Sequence, residues 1–138
     1  MKTFAFVALA VLCIYIVITT SEPKEFLKLR EMYDRFLKIL PKEFYQLRKK
    51  SVLVCLEGKG ELGYNVNKGY EIAICSDKDV NSMFHVLIHE LAHSSVPEYG
   101  HSRNFWKNAE KLTSLASNAG LYHPIEHKKN YCGKTIRD

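Results

Sequence analysis

The sequence predicts an α+β fold in which a small antiparallel sheet packs against a helix bearing an H-E-x-x-H pentapeptide and against further helices. Two strand-like runs, SVLVCLE at 51–57 and YEIAICS at 70–76, flank a glycine-rich stretch, and segments with apolar residues at helical spacing lie before and after them. The pentapeptide His89-Glu90-Leu91-Ala92-His93 falls inside one of those helical segments and marks it as the element that carries the chemistry. A chain of 138 residues with 46% apolar and 25% charged residues has room for one globular domain and does not have the composition of a disordered protein. The formal charge of +5 is spread among acidic residues along the helices and reads as a solvated surface, leaving nucleic acid as an open but secondary partner.

Residues 1–21 form a separate unit. Phe4 to Ile18 are uncharged and apolar, preceded by Lys2 and followed by Thr19-Thr20-Ser21. With its flanks this run approaches the roughly 17 to 25 residues that a spanning helix needs, and it also matches the charged and apolar regions of a secretory signal peptide. Its length and Ile/Val content favour a single-pass membrane anchor, with secretion after cleavage near Ser21 as the alternative. Lys24, Lys28 and Arg30 follow the segment, which for an anchor argues that the domain at 22–138 is cytoplasmic.

From Ser21-Glu22-Pro23, a helix is expected to about Leu40, with Phe26, Leu29, Met32 or Tyr33, and Phe36 on its apolar face. Pro41 breaks or restarts it, and Phe44 with Leu47 extend a short helical piece to Arg48-Lys49-Lys50. The two strand runs follow, with Gly58, Gly60 and Gly63 marking a turn and Tyr64-Asn65-Val66-Asn67 able to add a short strand. Asp79 or Asn81 can cap the next helix, about Ser82 to Ser95, which Pro97 and Gly100 end. A last helix begins near Ser102, carries Phe105, Ala109, Leu112, Ala116 and Ala119, and stops at Gly120. The tail shows no periodicity. Of four cysteines, Cys13 lies in the apolar run. Cys55, Cys75 and Cys132 allow at most one bridge, and Cys55 and Cys75 read as small buried hydrophobes in strands.

On a helix, His89 and His93 project two imidazoles from one face, at the separation that grips a divalent ion, and Glu90 can place a carboxylate beside the ion's open position. This pattern points to hydrolytic zinc. A catalytic zinc takes a third protein ligand, and His101, just past the Pro97–Gly100 turn, is the favoured one. Glu110, His123 and His127 are its rivals. His85 continues the i, i+4 series but lies about 12 Å from His93 along the axis, too far to share one ion. Tyr122, His123 or Tyr131 are candidates to stabilise an oxyanion, and a strand edge beside the helix could accept a substrate backbone. A non-catalytic zinc-binding structural or interaction protein of a membrane or virion is the second reading, and a DNA-associated protease the third.

The stretch IHELAHSSVPEYGHSRNFW resembles the active-site signature of the WLM and SprT-like zinc metallopeptidases. NVNKGYEIAIC and NAGLYHPIEHKKNYCG are similar to segments of small WLM-like proteins of large DNA viruses and some protists. The resemblance covers about Tyr64 to Gly133 and departs at Ser102, where SprT-like proteins often have glycine. It implies a minimal zincin-like fold, zinc held by His89, His93 and His101, Glu90 as general base, and a polypeptide substrate. Some members of that family cleave proteins crosslinked to DNA.

Overall fold

The structure, a computed structural model, describes residues 1–58 and 60–138. Lys59, inside the glycine-rich stretch read as a turn, lies outside the described residues. Helix α1, Lys2–Thr20, buries none of its side chains and is long and apolar enough to cross a membrane, a test that a signal sequence also passes. Helix α2, Lys24–Ile39, buries Phe26, Leu29, Tyr33 and Phe36, a 3-4-3 spacing that puts all four on one stripe. A short 3-10 segment, Lys42–Arg48, follows Pro41 and adds Phe44 and Leu47 to the core. Arg30 donates from Nη2 to the Leu53 carbonyl (2.8 Å) and pairs with Glu22, fastening α2 to the first strand.

Strands β1 (Val52–Leu56), β2 (Gly63–Val66) and β3 (Glu71–Cys75) form one sheet in the order β1-β3-β2. The two runs expected to pair antiparallel, β1 and β3, run parallel in the register Val52↔Glu71 to Leu56↔Cys75. The antiparallel partner of β3 is instead β2. The physical reason lies in the composition of the strands. Placing the apolar run EIAIC in the middle buries Ile72, Ala73, Ile74 and Cys75, and leaves the more polar GYNV at the edge. The short turn at 67–70 makes β2 the antiparallel partner on one edge of β3, and β1 lies on the other edge, running in the direction of β3. Asn67 and Lys68 both take left-handed φ there, 51° and 52°. Gly63 is required at the start of β2, since a Cβ would sit 2.5 Å from the Ala73 carbonyl oxygen and 2.9 Å from Val86 Cγ1.

Helix α3, Val80–Ser94, packs against the sheet, α2 and the last helix. Its cap is Asp79, which accepts from the Asn81 N–H (3.1 Å) and the Ser82 hydroxyl (2.7 Å). Helix α4, Arg103–Asn118, is capped by Ser102, which accepts from the Phe105 N–H (3.1 Å). The tail without periodicity is a hairpin, β4 (Lys129–Tyr131) with β5 (Lys134–Ile136). A Cys75–Cys132 disulfide joins its turn to the central strand, so Cys75 is not the free hydrophobe its strand position suggested. Cys13 and Cys55 remain thiols. A cross-link closing a loop of this length stabilises a fold by roughly 2–4 kcal/mol.

Candidate metal centre

Helix α3 places His89 and His93 one turn apart, and the turn through Pro97 and Gly100 folds the chain back so that His101 meets them. Ligand-capable atoms of the three imidazoles lie within 4.8 Å of one another, and His101 Nε2 approaches His89 Nε2 to 3.1 Å. Tetrahedral zinc with N ligands at about 2.0–2.1 Å needs nitrogens roughly 3.3 Å apart. The donor set therefore fits such an ion in number, chemistry and spacing. The rivals Glu110, His123 and His127 are not part of this cluster, the only one of its kind among the described residues.

Phe105, fully buried at the start of α4, is the platform under the site: its ring centroid lies 5.0, 4.4 and 4.8 Å from those of His89, His93 and His101. Burial, with the neighbouring imidazoles His93 and His101 adding to it, holds the His89 pKa down at about 4. His93 is lowered for the same reasons, burial first and then His101 and Lys68. Both rings are thus neutral near pH 7, the form that binds a metal. Glu90 is 7% exposed, and desolvation raises its carboxyl to about 7. It lines two cavities, one with Asn65, Lys68, His93 and Tyr99 and the other with Leu62, Gly63, His85 and His89.

The hairpin β2–β3 braces this arrangement through residues not singled out from the sequence. Asn65 donates from Nδ2 to the Glu90 carbonyl (2.8 Å) and the Ser94 hydroxyl (2.7 Å), and accepts from the Gly69 N–H (2.7 Å). Lys68 donates to the His93 carbonyl (3.1 Å) and to that of Glu98, and its Nζ lies 4.4 Å from the Tyr99 ring centroid. It therefore ties the end of α3 to the loop that delivers His101. The one sequence signal was the Asn-rich turn NVNKG, since Asn side chains commonly bond backbone groups at such turns.

His85 stays outside the cluster. Its Nδ1 bonds Asp138 Oδ1 at 3.0 Å and lies 3.1 Å from the Tyr122 hydroxyl, while Asp138 Oδ2 accepts from Tyr122 and from the Ile125 N–H (2.6 Å). Two oxyanion candidates are thereby occupied elsewhere: Tyr122 is buried against Asp138, and Tyr131 is buried with its hydroxyl donated to the Cys75 carbonyl. His123 is not among the residues that line the cavities beside Glu90.

No family model matches the sequence. The chain is 32% identical over 121 residues to uncharacterized protein R325 of Acanthamoeba polyphaga mimivirus, covering 78% of this chain and 61% of that one. It is 33% identical over 95 residues to uncharacterized protein 136R of Invertebrate iridescent virus 6, covering 67% and 46%. It thus spans about half the length of these curated viral relatives. Among solved structures it is similar to a Wss1 mutant from Saccharomyces cerevisiae, with a TM-score of 0.51 at 21% identity over 75% of this chain and 90% of that one. At that identity the likeness speaks to fold, and the mixed α+β fold of this chain is the one Wss1 shares.

Proposed function

We propose that the chain is a zinc-dependent metalloendopeptidase of the WLM or SprT-like kind, with His89, His93 and His101 holding the metal and Glu90 as general base. The observation that carries the reading is the convergence of three imidazoles beside a buried carboxyl that opens onto two cavities. Zinc held by His89, His93 and His101 would supply Lewis-acid chemistry there, lowering the pKa of a water and polarising the scissile carbonyl. Glu90, raised toward neutrality by burial, is suited to take a proton from the attacking water and return it to the departing amine nitrogen. The free edge of β2 runs beside α3 and can receive an extended polypeptide as an added strand, carrying it past Glu90.

The N-terminal helix supports a membrane-anchored or secreted protein. A Cys75–Cys132 bridge belongs in an oxidising compartment, which favours the side reached by secretion over the cytoplasmic placement expected from Lys24, Lys28 and Arg30.

The test is cleavage of an unstructured protein by the zinc-loaded full chain, with and without chelator, beside Glu90→Gln. The expected result is loss of activity with chelator, return with zinc, and a drop of about 10²- to 10⁴-fold in the variant at unchanged zinc content. Equal rates for variant and parent would remove Glu90 from the mechanism. A zinc-bound parent with no activity would favour the non-catalytic binding protein.

A further inference from the structure

Beside His89, away from Lys68 and Tyr99, lies a cleft of about 580 Å³ that the chemistry above does not use. Its walls come from four separated parts of the chain: Leu62 before β2, Ile88 on α3, Trp106 and Ala109 on α4, and Ile136 on the disulfide-tethered hairpin. Resting on the metallopeptidase reading, we propose that this cleft is the side-chain pocket for a large aliphatic residue, leucine or methionine, next to the scissile bond of a polypeptide substrate.

Position supports this. Leu62, His85 and His89 line both this cleft and the cavity that Glu90 enters, so a chain laid along β2 and across Glu90 passes its mouth. Chemistry sets the class of side chain. Leu62, Ile88, Trp106, Ala109 and Ile136 give the cleft an apolar part beside its polar groups, and Trp106 there is 56% exposed. Of the charged groups on the lining, Asp138 is engaged by Tyr122, Ile125 and His85, while Glu110 and Arg137 carry opposite signs, so the set does not favour one charge over the other. Transferring a leucine-sized side chain from water to the apolar part of the lining is favourable.

Trp106 is the only tryptophan in the chain, so its fluorescence reports on the cleft without requiring catalysis. The metal-free full chain in detergent is titrated with peptides identical except for one central Leu, Met, Ala, Asp or Lys. Cleavage of the same set is followed with the zinc-loaded chain. Leu and Met peptides should shift the Trp106 emission saturably and bind at least tenfold tighter than Ala, Asp or Lys peptides. Ala109→Leu and, separately, Thr113→Leu, which narrow the cleft from α4, should abolish that preference. Equal affinity for all five peptides, or an emission change that follows protein concentration or lipid instead of peptide, overturns the proposal. Leu-selective binding without hydrolysis by the zinc-loaded chain keeps the pocket and removes the peptidase reading. Hydrolysis without side-chain preference does the reverse.

Discussion

His89 and Glu90 are neighbours on α3, and burial moves their titrations in opposite directions. His89 is lowered to about 4, so in metal-free protein the unfolded chain takes up its proton first; the stability this represents is present above the ordinary value of 6.5 and is lost as pH falls toward 4. Glu90 is raised to about 7, so its contribution is present below 4.5 and is lost as pH rises through 7. Replacing Glu90 by Gln removes only the second of these. Metal-free Glu90→Gln should therefore melt progressively higher relative to the parent as pH is raised from 4.5 to 8. Thermal melts at matched pH check this, and a difference independent of pH would mean that the Glu90 carboxyl is not desolvated. The four residues singled out in the sequence were legible because an i, i+4 pair, its intervening Glu and a turn are local patterns. Asn65, Lys68 and Phe105 reach the same place through contacts 25 and 29 residues distant for Asn65, 25 and 30 for Lys68, and through ring packing across two helices for Phe105.

At the level of elements, the helices were readable and the sheet only in part. The apolar stripe of α2 and the caps Asp79 and Ser102 are local in sequence, so those helices begin and end close to where the pattern places them. Strand direction is not local. The central place of β3 follows from which run the core buries, and alternation within a run carries no information about the direction of its neighbour. That order leaves β2 at the edge with its turn over the end of α3, where Lys68 holds the His93 carbonyl and the loop to His101. Lys68→Met keeps most of the unbranched side chain and removes three N–H donors. It should lower zinc affinity about tenfold, as loss of a supporting contact around a metal site commonly does, with little change in metal-free melting. Unchanged affinity by chelator competition would show that the loop is positioned without it.

Across the whole molecule, three regions far apart in sequence converge on one face of α3: the β2 edge, the 96–101 loop and the tail hairpin. The tail was the least legible part, because its strands are three residues each and are held by Cys75–Cys132, by Tyr131 on the Cys75 carbonyl and by Asp138 beside His85, none of which is a periodic signal. The likeness to Wss1 in fold is consistent with this frame, and within it the three imidazoles of this chain sit on Phe105. The most direct test of the account is zinc stoichiometry and affinity, by chelator competition, for the parent and His101→Ala. His101 is exposed, so the substitution should leave metal-free melting intact. One zinc per chain for the parent and loss of tight binding in the variant is the predicted result. Equally tight zinc in His101→Ala, or none in a folded parent, would contradict it.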